Sequence, residues 1–448
     1  MLNKALGVAV AISVLAGGGM AAREFTRPAS VAIEEQGIAL EPGEVRTIHA
    51  TASGGLPFAE ALSWQIVPRW LGTISTSGDF RGGTVTGSGT VTARFGTASA
   101  QVAVKVTCPK RAAVAGVRFD VACGRSADVY VDVTATGGAT LALASVERNA
   151  TQVSGDLQFP IERPFRVYVF GSAPGFVAAV SELSRGFSSG PTGMEGTGLY
   201  IDVVDIIAID QSSVHSAQAD AVMRHELVHR FLRQYVGYAN IAELPSWLNE
   251  GLATREEYGA SKWLQTEARY VSASMAYVGK LPSLSSLTDL GDWNGRTGLD
   301  GFYQYYVAAQ AAQFLIDDLK LSGLQQVLDR VRVGDTFAKA FSRVGGNASY
   351  ATFVKHFEGR VAALAQTYPG IVVTPGSPQG VGSTVIVYGL TPNARATLTL
   401  SGPADSESSR TIDAYGVAVK YLGPEYATGA YLVTLESEGS RLSVTATR

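Results

Sequence analysis

Two kinds of periodicity divide this chain, and their order along it limits the folds open to it more than any other feature. Over residues 38–106 and again over 371–448, apolar and polar residues alternate in short runs punctuated by Gly, Ser, Thr and Pro. That period of two marks half-buried antiparallel strands, and the close turn spacing marks a sandwich at each end. Between them, residues 216–368 carry helical periodicity, interrupted at Gly237, residues 291–301, Gly323 and Gly345-Gly346. Residues 117–210 mix both, with strand candidates RFDVAC, RVYVF, GLYIDV and DIIAID around helix-like stretches at 139–157 and 176–187. Strands early and helices late make the centre an α+β domain. The expected architecture is therefore multidomain, a central α+β domain (116–367) flanked by two all-β sandwiches (28–108 and 372–448), with residues 369–382 as a linker. A length of 448 residues accommodates about three domains at ~150 residues each.

Charge excludes one class of partner. With 36 basic and 39 acidic residues the net charge is -3, and no Lys/Arg stripe runs anywhere along the chain, so nucleic acid is not an expected partner. The first residues point outside the cytoplasm. Lys4, the apolar run at 5–15 and the small residues around Gly19-Met20-Ala21 form a secretory signal pattern over 1–22, the alternative being an uncleaved anchor. No later apolar run approaches the ~20 residues of a membrane helix. The expected location is secreted, periplasmic or on the cell surface. Cys108 and Cys123, the two cysteines of the chain, suit that compartment as a disulfide, against two free buried thiols.

The chemistry concentrates in RHELVHR. His225 and His229 stand four residues apart, so on a helix both imidazoles reach one metal ion, while Glu226 lies about 100° around, placed for a general base rather than a ligand. A catalytic zinc needs a third protein ligand and an open position. ELPSWLNEGLATREE offers Glu250 on a second helix opened by Pro245, with Trp247 and Leu248 packing behind it; Glu243, Glu256 and Glu257 are the alternatives.

The pair HELVH and WLNEG resembles the gluzincin metallopeptidases, the thermolysin and M1 aminopeptidase superfamily, and within it the bacterial peptidase MA-like domains. The resemblance spans about residues 118–365. It implies one Zn²⁺ held by His225, His229 and Glu250, with Glu226 as base and proton shuttle. The spacing of 20 residues between His229 and Glu250 is slightly longer than is usual in that family. The resemblance also implies a tyrosine that stabilises the transition state, best matched by Tyr305 in GFYQYYVAAQ, with Tyr303 and Tyr306 as rivals. The thermolysin branch carries a carboxylate four positions after the ligand glutamate to orient a histidine. Here that position is Thr254, which leaves Thr254, a backbone carbonyl, Asp210 or Asp220 for the task. Gly193-Met194-Glu195-Gly196 is similar to the amine-binding strand of M1 aminopeptidases and implies a substrate-binding role for Glu195, the other reading being an exposed turn. Separately, residues 28–107 resemble the immunoglobulin-like domains of bacterial surface proteins, through Trp64, LGTIS and GTVTARFGTASAQVAVKV.

The expected activity is a secreted zinc metallopeptidase, hydrolysing peptide bonds by zinc-activated water with Glu226 as base. Its partner is a peptide or protein, and the β modules are available for attachment to the cell envelope. The rival is an extracellular binding or adhesion protein whose peptidase-like zinc centre does no chemistry.

Overall fold

The structure, a computed structural model, describes residues 29–54, 61–184, 198–202, 204–213, 219–259, 262–345, 349–377 and 381–448. The expected signal segment 1–22 and the candidate Glu195 lie outside the described residues. A central α+β region has β-rich regions on either side of it in the chain. By contact, the chain divides into two compact units: Met1–Ala112, Phe119–Tyr130 and Glu162–Arg166 in the first, Ala113–Arg118, Val131–Ile161 and Val167–Arg448 in the second.

The first unit carries β1 (Ser30–Ile33), β2 (Ile38–Leu40), β3 (Val45–Thr47), β4 (Ala50–Ser53), β5 (Ser63–Val67), β6 (Gly72–Ile74), β7 (Asp79–Gly82), β8 (Gly87–Phe95) and β9 (Ala98–Val106). They form a sheet ordered β2-β9-β8-β5, a second ordered β3-β7-β6, and the pair β1-β4. Alternation decides which side faces in: along β9, Val102, Val104 and Val106 are buried while Gln101, Ala103 and Lys105 are exposed. Leu71, Phe80 and Val91 complete that core. Beyond β9, Cys108 and Cys123 form a disulfide with Cα atoms 5.8 Å apart, as the compartment argument anticipates.

Following β10 (Arg111–Val114), β11 (Val117–Cys123) and β12 (Ala127–Asp132), the chain enters α1 (Gly138–Leu157), β13 (Phe165–Phe170), α2 (Ala173–Leu183), β14 (Gly198–Ile201) and β15 (Ile206–Asp210). Strand β15 lies between β13 and β14, and β14 ends the strand order. The helical region then runs through α3 (Ala219–Val236), α4 (Ser246–Gly259), α5 (Lys262–Tyr277), α6 (Leu290–Asn294), α7 (Gly298–Arg332), α8 (Phe337–Val344) and α9 (Tyr350–Ala362). Helix α3 stops at Gly237 as the sequence anticipates. Gly323, expected to break a helix, instead lies within α7; the interruption there falls at Lys320, whose φ of 59° is non-helical.

The C-terminal strands are β16 (Gly370–Pro375), β17 (Ser383–Tyr388), β18 (Arg395–Ser401), β19 (Ser406–Thr411), β20 (Ala418–Leu422), β21 (Ala430–Ser437) and β22 (Ser440–Thr447). Two sheets, ordered β16-β17-β20 and β19-β18-β21-β22, enclose a core that includes Leu398, Leu400, Tyr431, Val433 and Leu435. The β21–β22 hairpin closes through Glu438 and Gly439, at φ 44° and 82°, the two positive values that a tight type I′ turn demands. The first part of the segment expected as a linker is strand: Gly370–Pro375 pairs residue for residue with Ser383–Tyr388. Its Ile-Val-Val run has an apolar surface to cover, so it joins the sheet rather than remaining extended in solvent. The sandwich also packs onto α5. The buried Ser274 hydroxyl donates to the Tyr415 carbonyl at 2.7 Å and accepts from the Gly389 N–H at 2.8 Å, while Tyr270 and Tyr388 stack at 4.7 Å.

Candidate metal centre

Helix α3 forms because Ala219–Val236 contains helix formers and no internal Gly or Pro, and its apolar stripe, Leu227, Val228, Phe231 and Leu232, is buried. That burial turns His225 and His229 toward α4. The second helix starts immediately after Pro245. It is fixed by Trp247, which is fully buried, donates from Nε1 to the Tyr350 hydroxyl at 3.1 Å and stacks on Phe353. Gly251 lets α4 approach α7: a Cβ there would stand 2.3 Å from the Ala308 carbonyl oxygen. Glu250, one residue earlier, thereby comes under the two histidines.

The Nε2 atoms of His225 and His229 each stand 3.5 Å from Glu250 Oε2. The ligand atoms of the three residues all lie within 4.8 Å of one another, and among the described residues no other group of three or more His, Cys, Asp or Glu does so. Ligands at ~2.0–2.1 Å in a tetrahedron stand ~3.3 Å apart. The two histidine–glutamate separations of 3.5 Å match that edge, and two imidazoles with one carboxylate are a zinc donor set, so the residues fit the ion. Of the alternatives to Glu250, Glu243 is exposed, Glu256 is buried against Arg255 at 2.5 Å, and Glu257 has a different partner.

That partner corrects the expectation for the supporting groups. Glu257 Oε2 lies 3.0 Å from His225 Nδ1, and Asn249 Oδ1 lies 3.1 Å from His229 Nδ1. Thr254 does neither: it is fully buried and its Oγ1 has no hydrogen-bond partner among the described residues. Asp220 is engaged by Ser145, Arg148 and Asn149, and Asp210 by Ser212. Glu257 sits two helical turns beyond Glu250, on the same face of α4, whereas Thr254 at one turn is closed in by core packing. The sequence signal for Glu257 was that seven-residue spacing; for Asn249 it was adjacency to Glu250 within WLNEG.

Glu226 is buried beside the cluster and lines a cleft of about 660 Å³ with Gly198, Tyr200, His225, Glu250 and Tyr305. Burial raises its carboxyl above the ordinary range against the pull of both histidines and a hydrogen bond from the Tyr200 backbone. Glu250 moves the other way. Burial alone would raise it, but the His229 charge and hydrogen bonds with both imidazoles hold it well below. The same contacts raise both histidines despite the burial that opposes their charge.

Two ion pairs tie the β14–β15 hairpin to α3. Buried Arg230 Nε meets Asp205 at 3.0 Å, and Arg233 Nη1 meets Asp202 at 2.5 Å. Of the three tyrosines, Tyr305 faces the cleft, its ring 6.2 Å from that of His225 and 5.0 Å from Trp293. Tyr303 and Tyr306 donate elsewhere, to Asp413 and Glu267.

No protein-family model matches the chain, and no curated protein matches it. Among solved structures, a two-domain M1 zinc metallopeptidase bound to L-tryptophan is similar at 13% identity and a TM-score of 0.33, covering 69% of this chain and 62% of that one. The M1 zinc metallopeptidase from Deinococcus radiodurans gives 12%, 0.32, 69% and 63%. An aminopeptidase N family protein from Idiomarina loihiensis gives 8%, 0.35, 88% and 74%. The chain thus spans about six-tenths of the length of the first two, and the chemistry of the centre rests on its own atoms.

Proposed function

We propose that the protein is a secreted zinc-dependent peptidase of gluzincin type, with one Zn²⁺ held by His225, His229 and Glu250. The observation that carries this reading is the convergence of those three ligand atoms, with both histidine–glutamate separations at 3.5 Å, in a cleft that also holds a buried carboxylate, Glu226. A structural metal site has no need of that fourth group. When bound, zinc supplies Lewis acidity toward a carbonyl oxygen and lets water lose a proton near neutral pH.

The chain's residues do the rest. Glu226 takes the proton from the attacking water and returns it to the leaving amine, as a positioned general base and then acid. Tyr305, whose hydroxyl is kept protonated by burial and by the Glu250 charge, donates to the oxyanion that develops on the carbonyl. Glu257 and Asn249 hold the imidazole rings by their Nδ1 atoms. Among the described residues strand β14 ends its sheet, and it lines the cleft through Gly198, Leu199 and Tyr200, which offers an extended peptide an edge to pair with. Release outside the cytoplasm is supported by the Cys108–Cys123 disulfide. Among the described residues no helix is long and apolar enough to cross a membrane. The first unit, as an immunoglobulin-like module, serves as a spacer or envelope attachment.

Glu226→Gln tests the mechanism. The variant keeps one zinc per chain and loses peptide hydrolysis by about 10²-fold or more, the upper range expected of a general base being ~10⁴. Hydrolysis at the wild-type rate by the zinc-loaded variant would show that Glu226 is not the base.

A further inference from the structure

We infer that the C-terminal β-sandwich is a working part of the cleft, holding the first turns of α7 so that Tyr305 faces the metal ligands. The contacts fall on one side of that helix. Asp300 accepts from the Tyr415 hydroxyl. Tyr303 donates to Asp413 Oδ2 at 2.8 Å, and its ring meets that of Tyr415 at 5.3 Å. Tyr306 donates at 2.9 Å to Glu267 of α5, a buried carboxylate that also accepts from Tyr421 at 3.2 Å.

Asp300, Tyr303 and Tyr306 follow the three-residue spacing of one helix face. At ~100° per residue their mean direction lies roughly 160° from that of Tyr305. The face opposite Tyr305 is therefore the one that Asp413, Tyr415 and, through Glu267, Tyr421 of the sandwich hold. On the cleft side its ring stands 5.0 Å from that of Trp293 and 6.2 Å from that of His225.

Asp413 is itself fixed, its Oδ1 accepting the N–H groups of Tyr415 at 2.8 Å and Val417 at 2.9 Å. A turn of the sandwich, rather than a lone flexible side chain, thus sets where Tyr303 ends. Asp413, Tyr415 and Tyr421 are positioning residues: none of them lines the cleft. The C-terminal module is accordingly more than a spacer. The inference rests on the peptidase reading for its functional consequence but not for its structural one.

The test removes two hydroxyls and keeps both rings, in the full-length Tyr415→Phe, Tyr421→Phe double variant. Hydrogen exchange of the zinc-loaded protein is the first readout. Amides of the first turns of α7, residues 298–308, exchange at least about 10-fold faster while α3 is unchanged, as expected when one end of a helix opens locally. Unchanged exchange in 298–308 overturns the inference whatever the activity, and a Tyr303→Phe variant, which cuts the tie from the helix side, repeats the measurement should the double variant misfold.

Turnover is the second readout. The double variant loses about 10-fold in kcat with KM within twofold, a modest displacement of a positioned group being enough. In a Tyr305→Phe background the same pair of substitutions costs nothing further. An equal loss in that background means the sandwich does not act through Tyr305 and overturns the positioning claim. Absence of any Glu226-dependent hydrolysis would instead sink the peptidase reading, while the exchange result still decides whether the sandwich holds α7.

Discussion

Removing the Glu257 carboxylate should weaken zinc binding by a predictable amount, because the geometry fixes what is lost. Glu257 Oε2 stands 3.0 Å from His225 Nδ1, with the two side chains only 26% and 14% exposed, so water replaces the bond poorly. For Nε2 to face a metal, Nδ1 must carry the proton, and Glu257 is its acceptor. A hydrogen bond to a charged group contributes about 1.5–3 kcal/mol. Loss of such an outer partner of a ligating histidine costs about 10–100-fold in metal affinity, which is about 1.4–2.7 kcal/mol. The two estimates agree. Glu257→Ala should therefore raise the zinc dissociation constant by about 10–100-fold, measured by competition with a chromophoric chelator at fixed pH.

Glu257→Gln, which keeps an acceptor but not the charge, falls between Ala and wild type. Asn249→Ala, losing a neutral acceptor 3.1 Å from His229 Nδ1, lies near the lower end, about 10-fold. Thr254→Val removes a buried hydroxyl that has no partner among the described residues and leaves zinc affinity within about twofold, with stability equal or slightly raised. The reasoning fails if Thr254→Val weakens zinc about tenfold while Glu257→Ala does not, since that would return the supporting role to the position one turn after Glu250.

Two further outcomes follow from the helices that carry the ligands. Gly251→Ala would put a Cβ 2.3 Å from the Ala308 carbonyl oxygen and 2.7 Å from its carbon, backbone atoms that cannot swing aside. It should destabilise the second unit by about 1–3 kcal/mol and weaken zinc through the displaced Glu250, read by urea melts and chelator competition. Glu256, buried and near Asp156, has its carboxyl raised from 4.5 to about 7, by burial first and the Asp156 charge next, against the pull of Arg255. A raised acid favours folding in its protonated form, so its contribution is full below about pH 4.5 and is lost as pH rises through about 7. The stability of Glu256→Gln relative to wild type should increase between pH 5 and 8.5; a flat difference would contradict the buried-acid account.

Legibility in the sequence followed the range of the interaction. The HELVH pair is a local fact: once residues 219–236 are helical, both imidazoles share a face whatever the rest of the chain does. Glu250 was legible for the same reason on α4, within a short motif that also supplies Trp247 and Leu248, both fully buried. That Glu257, offered by the sequence only as an alternative ligand, meets His225 Nδ1 while Thr254 does not depends on how α3 crosses α4, which only packing sets. Residues 370–375 were read both as the start of the C-terminal alternation and as part of a linker, because a Pro- and Gly-rich neighbourhood surrounds a short apolar run that finds its strand partner in 383–388. Least visible were the ties from Tyr303 to Asp413 and from Tyr415 to Asp300, which join residues more than 100 positions apart and carry no periodic signal.

Digestion of a peptide library by the zinc-loaded protein, with new termini read by mass spectrometry, tests the central claim most directly. A peptidase centred on His225, His229, Glu250 and Glu226 generates new termini that vanish with a chelator and return when zinc is restored. A folded protein carrying one zinc per chain that leaves the library intact would contradict the claim and make the centre that of a binding protein.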